Sequence, residues 1–271
     1  MLVTLTVRDL LDRFAASDPT PGGGSAAALA GSLGASLLAM VAGMSKTKTG
    51  TPEERAALDA ARVELLRHRD MLLDLIDRDT QAYDQVVAAY RLPKGSDEDK
   101  ATRTAAIQTA MRVAAETPLE TVRACADAGR AARVVAESGN PTAASDVATA
   151  MALLGSGMTG GAMNVAVNLD SLKDADVRKS LAEQVLSQTR RLHDNAGAGH
   201  TGPITDLWLG LVRHAGLPAA PSREEQSARF AAETLRQLGS PEARQALELL
   251  ARSADEHVVH AAREALSRFG T

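Results

Sequence analysis

The stretch PTPGGGSAAALAGSLGASLLAM, residues 19–40, places three consecutive glycines between a proline and a long run of small residues. Glycine inside a helix costs about 0.5–1 kcal/mol relative to alanine, so such a series needs a reason. Residues 26–44 carry no charge, but they are mostly Ala, Gly and Ser, and a bilayer favours longer side chains. The stretch therefore predicts a buried small-residue helix at the centre of an all-α protein.

The composition of the whole chain supports this prediction. The protein has 271 residues, of which 45% are hydrophobic but only 2% aromatic, so the residue types enriched in strands are scarce. A net charge of −4 and few aromatic residues argue against a nucleic-acid partner. The single cysteine, Cys125, excludes an intrachain disulfide and fits a reducing cytosol. The N-terminal MLVTLTVRDLLDRF predicts an amphipathic helix rather than a signal peptide, so we expect a cytoplasmic protein with no membrane partner.

Start and stop signals divide the first 195 residues into helices. Thr51-Pro52-Glu53-Glu54 predicts a helix start with a capping box, and the helical pattern then continues to Leu92. Ser96 starts the next helix, and Thr117-Pro118 predicts the start of a separate one that ends at Gly139. Further helices are predicted at about residues 143–170 and 174–195, and no strand pattern of useful length is present. The expected fold is an all-α multihelical bundle with a long central helix.

Two breaks indicate a second, smaller unit at the C-terminal end. Residues 195–201 and the LPAAPS segment at 217–222 separate a helical domain, residues 1–216, from a tail, residues 222–271. The last two predicted helices of the tail resemble one HEAT-type helical hairpin. The tail is predicted to contain three short amphipathic helices, at 223–238, 241–253 and 256–268.

Asp79 occupies an unexpected position on the long helix. At about 100° per residue it lies in the middle of the apolar stripe. It either pairs with a core arginine or caps a neighbouring helix, or it is a catalytic acid whose pKa burial raises. The stripe contains Leu65, Leu72, Ile76, Tyr83, Val86 and Tyr90, with Tyr83 placed to hydrogen-bond Asp79; the opposite, solvated face contains Arg67, Asp70, Asp74, Asp77, Arg78, Gln81 and Asp84.

A second polar set lies on the helix predicted at 143–170. Asp146, Gly157, Gly161, Asn164 and Asn168 share one narrow sector of the helical wheel. This face either bounds a pocket for a flat polar ligand or packs closely against another helix with buried Asn hydrogen bonds.

The three glycines also allow two interpretations. They lack the Lys-Ser/Thr ending of a P-loop and follow no strand, so neither nucleotide-binding fingerprint fits. They either expose N–H groups to an anion or carbonyl at a helix N-terminus, or form a tight turn between helices.

Taken together, these motifs resemble the cyclodeaminase/cyclohydrolase family of folate enzymes. The resemblance covers about residues 5–195 and implies a homodimeric helical bundle that binds a one-carbon tetrahydrofolate. It rests on PGGGS at 21–25, DRDTQAY at 77–83, RLPK at 91–94, RTAA at 103–106, TPL at 117–119, GN at 139–140, SD at 145–146 and NVAVNL at 164–169.

The resemblance also implies roles for individual residues. Asp79 matches the proton-donating aspartate of the family, the residue that the helical wheel had already singled out. The folate-binding set is expected to comprise Gly22, Gly23, Gly24, Ser25, Tyr83, Arg103, Asp146, Asn164 and Asn168. No metal and no cofactor beyond the tetrahydrofolate substrate is expected, and His257 and His260 are interpreted as a solvated pair.

Two reactions are compatible with this resemblance. The first expectation is formiminotetrahydrofolate cyclodeaminase, which closes 5-formiminotetrahydrofolate to 5,10-methenyltetrahydrofolate and expels ammonia. The alternative is methenyltetrahydrofolate cyclohydrolase, which adds water to the methenyl carbon and yields 10-formyltetrahydrofolate. A rival from another class is a non-catalytic helical adaptor, which would leave Asp79 and the three glycines unexplained.

Overall fold

The computed structural model describes residues 1–196, 241–252 and 256–268, and in these ranges the protein is helical without strands. This confirms the all-α prediction. The chain divides into two compact units, Met1–Leu217 and Pro218–Thr271. The helices are α1 (Val7–Ala15), α2 (Gly23–Ala42), α3 (Pro52–Tyr90), α4 (Asp97–Ser138), α5 (Ala144–Leu169), α6 (Ala175–Ala196), α7 (Pro241–Leu250) and α8 (Glu256–Ser267), with 3₁₀ turns at Leu2–Thr4 and Pro141–Ala143.

Side-chain caps explain where several helices begin. The Thr51 hydroxyl accepts a hydrogen bond from the Glu54 N–H, and Pro52 occupies the first position of α3. Ser96 and Asp99 form a reciprocal capping box at the start of α4. These caps depend on residues within one turn of each other, and the predicted starts of α3 and α4 are confirmed. The capping box predicted at Thr51 is only half formed, because the Glu54 carboxylate accepts from the Thr47 hydroxyl and from the Thr49 and Gly50 N–H groups.

Helices α2 to α5 form an antiparallel four-helix arrangement. Helix α2 packs against α3 and α5, α4 packs against α3 and α5, and α2 also touches α4. The core contains the buried faces of these helices, including Leu38, Leu72 and Leu154. The predicted long helix is α3, with 39 residues, and the predicted buried small-residue helix is α2.

Small residues let the backbones of α2 and α5 approach closely. A Cβ at Gly34 would lie 2.8 Å from the Ala150 carbonyl oxygen, and one at Gly157 would lie 2.8 Å from the Ala27 carbonyl oxygen. By length and composition, both α2 and the segment Pro141–Leu169 could cross a membrane. In this protein 61% of the apolar window of α2 and 39% of that of Pro141–Leu169 are buried inside the bundle.

The separate helix predicted to start at Thr117 is wrong, because α4 runs without a break from Asp97 to Ser138 with Pro118 inside it. Proline lacks an N–H, so the carbonyl oxygen of Ala114, four residues earlier, loses its helical donor. The side-chain amide of Asn168 on α5 donates to that oxygen at 2.7 Å. A proline signal that normally marks a helix start is thus tolerated through a contact with another helix.

This contact predicts an energetic coupling between Asn168 and Pro118. Asn168→Ala should destabilise the bundle by about 1–3 kcal/mol, because the Ala114 carbonyl is left without a donor. In a Pro118→Ala background the restored N–H can bond Ala114, so the same change should cost at least about 1 kcal/mol less. Urea unfolding of the two single variants and the double variant measures the difference. An equal cost of Asn168→Ala in both backgrounds would contradict the assignment.

The prediction that Asp77 lies on the solvated face of the long helix is wrong. Asp77 is buried, and its Oδ1 accepts a hydrogen bond of 2.5 Å from the Leu2 N–H. The 3₁₀ turn Leu2–Thr4 packs on α3 and covers this position. A helical wheel has no information about a segment 75 residues away.

The described part of the C-terminal unit contains α7 and α8, which pack on each other. Leu247 of α7 and Ala261, Ala262 and Ala265 of α8 form a small buried cluster. Both helices begin where they were predicted, while the helix predicted at 223–238 lies outside the described residues. The likeness to a HEAT hairpin stays a prediction.

Candidate active site

The Asp79 carboxylate lies where α3 meets the first turn of α2. Its Oδ2 accepts hydrogen bonds from the Ser25 N–H at 2.8 Å and from the Ser25 hydroxyl at 3.0 Å. Ser25 is the third residue of α2, so its N–H is one of those that a helix leaves without an internal acceptor. Asp79 therefore caps a neighbouring helix, which is one of the interpretations of its place on the apolar stripe.

Burial raises the pKa of the Asp79 carboxyl above its ordinary value, and the two hydrogen bonds from Ser25 offset only part of this effect. Within the described ranges no lysine or arginine forms an ion pair with Asp79. The neighbouring Arg78 is instead held by Glu120 of α4 through two contacts of 2.7 Å. A partly buried carboxyl without a cationic partner holds its proton to higher pH than an exposed carboxyl does, which favours a role as a general acid.

The space available for a side chain differs among the three glycine positions. A Cβ at Gly24 would lie 2.1 Å from Asp79 Oδ1 and 2.6 Å from its Cγ, so any side chain there would displace the carboxylate. A Cβ at Gly23 would lie 3.3 Å from Asn164 Nδ2, a tighter contact than most. At Gly22 the nearest atom is 3.6 Å away, an ordinary contact. Bare backbone thus lets Asp79 and Asn164 approach the start of α2.

The two asparagines of α5 have separate contacts. Asn164 donates to the Gly160 carbonyl oxygen at 2.8 Å and lies beside Gly23. Asn168, one turn later, donates to Ala114 on α4 and to the Asn164 carbonyl oxygen. Only Asn164 reaches the group formed by Asp79, Ser25 and the glycines, while Asn168 supports the interface between α4 and α5.

Tyr83 does not make the predicted contact with Asp79. It is 41% exposed, and the hydrogen bonds that Asp79 accepts in the described structure come from Ser25 alone. The Asp79 carboxylate is turned towards α2, whereas the Tyr83 ring, one turn along α3, projects to the surface.

Arg103 and Asp146 lie away from this group within one copy of the chain. Arg103 donates to the Tyr90 carbonyl oxygen at 3.2 and 3.1 Å and lies 5.4 Å from the centre of the Tyr90 ring. Tyr90 follows Asp79 by about 16 Å along α3 at 1.5 Å per residue. Asp146 is in the first turn of α5, about 27 Å along that helix from Asn164. The shared sector of the helical wheel therefore extends over the length of α5 rather than forming one pocket.

The assembled group combines a carboxyl whose pKa is raised by burial with hydrogen-bond donors. Among the residues that the structure describes, the Gly23 and Gly24 N–H groups have no acceptor, and they are at the positive end of α2. The Asn164 amide lies beside them. Such a site can bind a carbonyl or ring nitrogen over the glycines and exchange a proton with it through Asp79. The described ranges contain no cluster of three His, Cys, Asp or Glu side chains suited to a metal ion.

Comparison with known proteins places this architecture among folate enzymes. A family model described as formiminotransferase-cyclodeaminase matches residues 6–187. The chain is 38% identical over 193 residues to a methenyltetrahydrofolate cyclohydrolase of Methylorubrum extorquens, covering 71% of this chain and 91% of that protein. It is 29% identical over 186 residues to formimidoyltransferase-cyclodeaminase of Rattus norvegicus, covering 69% of this chain and 34% of that protein.

A solved structure shares the fold. The formiminotetrahydrofolate cyclodeaminase of Thermotoga maritima superposes with a TM-score of 0.63 at 24% identity, covering 80% of this chain and 98% of that one. At this identity the likeness concerns the fold alone. The match of the family model over residues 6–187, together with the 38% identical relative, shows that the chain belongs to the formiminotransferase-cyclodeaminase family.

Proposed function

We propose that this protein is an enzyme acting on one-carbon tetrahydrofolates, with Asp79 as its acid and base. The observation that carries the proposal is the Asp79 carboxyl, whose pKa is raised by burial and which reaches the start of α2 only because residue 24 is glycine. The planar pteridine would lie over Gly23 and Gly24, where no side chain intrudes. Asn164 is placed to donate to or accept from its polar edge.

The first reaction we propose is that of a methenyltetrahydrofolate cyclohydrolase. The motifs do not separate the two reactions, and the cyclodeaminase is the first expectation from the sequence. The relative of which this chain covers 91% is named a cyclohydrolase, so we place the cyclohydrolase first. Water adds to the methenyl carbon, and the Asp79 carboxylate takes the proton that the water loses. One bond from this carbon to a ring nitrogen then breaks, Asp79 returns the proton to that nitrogen, and the hydroxyl releases its own proton to solvent. The product is a formyl group on the second nitrogen.

The second candidate is the cyclodeaminase reaction, favoured by relatives such as the rat enzyme. Here the nitrogen that closes the ring would give its proton to the formimino nitrogen, and the protonated Asp79 would deliver a second proton so that ammonia departs; the carboxyl therefore acts first as an acid. Both reactions pass through a tetrahedral carbon that bridges the two folate nitrogens, which is why one carboxyl serves either. Only the cyclodeaminase reaction releases ammonia.

Assaying the purified protein with both substrates separates the two candidates. A cyclohydrolase consumes the methenyl chromophore of 5,10-methenyltetrahydrofolate faster than the buffer alone and leaves 5-formiminotetrahydrofolate unchanged. A cyclodeaminase forms that chromophore from 5-formiminotetrahydrofolate with an equal amount of ammonia. If neither substrate reacts and calorimetry detects no tetrahydrofolate binding, the enzyme proposal fails and the adaptor alternative gains support.

We also propose that the enzyme is a cytoplasmic homodimer. The outward side of α2 supports a second copy as the partner, because Leu33 and Met40 are 51% and 46% exposed on a helix without charged residues. Sedimentation equilibrium should give twice the chain mass, and Leu33→Lys should shift the mass towards that of one chain.

Removing the C-terminal unit tests whether the tail contributes to the active site. The bundle has its own buried core, and α7 and α8 have another. We expect a chain ending at Ala220 to stay soluble and dimeric and to keep most of its turnover, with some loss of stability. Turnover and melting temperature of the truncated and full-length chains provide the measurement. A truncated protein that folds normally but has lost its turnover would show that the tail contributes to the site.

A further inference from the structure

The Ser25 side chain is buried between α2 and α3. It is fully buried, and three oxygen atoms surround its hydroxyl oxygen. The Ile76 carbonyl oxygen lies at 2.9 Å, Asp79 Oδ2 at 3.0 Å and the Thr80 hydroxyl at 3.5 Å. The Ser25 side chain thus contacts the Asp79 carboxyl from the buried side, between α2 and α3.

The hydroxyl of Ser25 has one hydrogen and two acceptors within 3.0 Å when Asp79 is ionised. It can donate to the carboxylate or to Ile76, but not to both with good geometry. When Asp79 is protonated, its own O–H can donate to the Ser25 oxygen, and the serine hydrogen is then free to bond Ile76. Both protonation states can therefore be fully hydrogen-bonded without moving a heavy atom.

We propose that Ser25 is a positioning residue whose hydroxyl follows the proton of Asp79, donating to the ionised carboxylate and accepting from the protonated carboxyl. This inference rests on the proposed function, in which Asp79 alternates between the two states. The Ser25 N–H holds Oδ2 in place throughout, and only the hydroxyl hydrogen rotates. No covalent bond to serine forms or breaks. The proton that Ser25 accepts is on Oδ2 in the enzyme without substrate, and the proton exchanged with the substrate is carried by Oδ1, which Ser25 does not contact.

Among the described residues, no other charged group faces Asp79 closely enough to control its protonation in place of Ser25. The start of α2 contributes no charged residue, and α5 contributes the neutral Asn164. On α3, Asp77 is turned to the Leu2 N–H, and Arg78 is paired with Glu120 of α4. Burial raises the pKa of Asp79, and the Ser25 bonds are the opposing contribution.

Ser25→Ala removes the hydroxyl but keeps the backbone donor to Oδ2. A bond to a charged acceptor is about twice as strong as one between neutral groups, so the ionised state loses more than the protonated state. We expect the acid limb of the kcat/KM profile to move to higher pH by about half a unit or more, with little change in KM. The matched control is Ser32→Ala, a buried serine of the same helix whose hydroxyl bonds the Leu29 carbonyl oxygen. It should leave the limb unchanged.

Infrared titration tests the inference without turnover, so its failure differs from failure of the proposed function. The C=O stretching band of protonated Asp79, identified by its loss in Asp79→Asn, should shift in Ser25→Ala and stay in place in Ser32→Ala. The titration midpoint of the band should rise in Ser25→Ala. An unchanged band position would show that Ser25 does not accept from the protonated carboxyl and would overturn the proposal. An unchanged titration midpoint of the band in Ser25→Ala would show that the Ser25 hydroxyl does not donate to the ionised Asp79 carboxylate.

Discussion

Asp79→Asn is expected to lower turnover of the one-carbon tetrahydrofolate by about 100-fold or more while the bundle stays folded. Asparagine has the shape of aspartate, so its side-chain oxygen can still accept the bond from the Ser25 N–H at the start of α2. The asparagine side chain also fits beside the bare backbone of Gly24, as the aspartate side chain does. What the variant lacks is a group that can gain and lose a proton, so the loss should appear in kcat rather than in KM.

Steady-state kinetics and thermal melting of Asp79→Asn and of Asp84→Asn provide the measurement. Asp84 is exposed on the same helix, five residues further on, and serves as the matched control. It should keep the rate of the unchanged protein. A near-normal rate for Asp79→Asn would remove this carboxyl from the mechanism and leave it with the structural role of a helix cap.

Gly24→Ala is expected to cause a loss of turnover of similar size through geometry alone. The new Cβ would lie 2.1 Å from Asp79 Oδ1, so the carboxyl must leave its bonds with Ser25 or push α2 away from α3. A displacement of about 1 Å at reacting groups can cost about 100-fold in rate. The protein should also be destabilised, because the N-terminal turn of α2 loses its cap.

The matched control for Gly24→Ala is Gly155→Ala on α5. A Cβ at Gly155 meets nothing within 4 Å, so alanine there should stabilise the helix by about 0.5–1 kcal/mol and leave turnover unchanged. Gly23→Ala should be intermediate and should raise the apparent Kd for folate more than it lowers the melting temperature, because it presses on the Asn164 side chain. If Gly24→Ala were as well tolerated as Gly155→Ala, the close approach of Asp79 to α2 would be wrong.

Local signals in the sequence were sufficient for most of the secondary structure. The caps at Thr51 and Ser96 predicted where α3 and α4 begin, because a cap and its acceptor lie within one turn. The helical wheel placed Asp79 among Leu65, Leu72 and Ile76, and all three are buried in the core. The exposed Tyr83 and Tyr90 belong to the same stripe, which shows that the stripe is covered only along part of its length.

The roles of the site residues could not be read from spacing. No nearby residue in the sequence predicts that Ser25 contacts Asp79 or that Asn164 lies beside Gly23, since these partners belong to other helices. Sequence patterns placed Asp146, Asn164 and Asn168 on one sector, but the length of α5 separates Asp146 from the other two. A helical wheel shows the angle of each residue around the helix axis, but it does not show how far apart two residues lie along that axis.

The sequence by itself determined the all-α class, the buried α2, the caps of α3 and α4, and the choice of Asp79 as an unusual carboxylate, because each depends on residues within a few turns. Only the tertiary structure decided that α4 continues through Pro118, that Asp77 is buried under Leu2–Thr4, and that Asp79 contacts Ser25 rather than Tyr83. These outcomes rest on hydrogen bonds between segments about 50 to 75 residues apart. A buried polar atom takes whichever partner the packing of helices brings to it, and no local pattern records that choice.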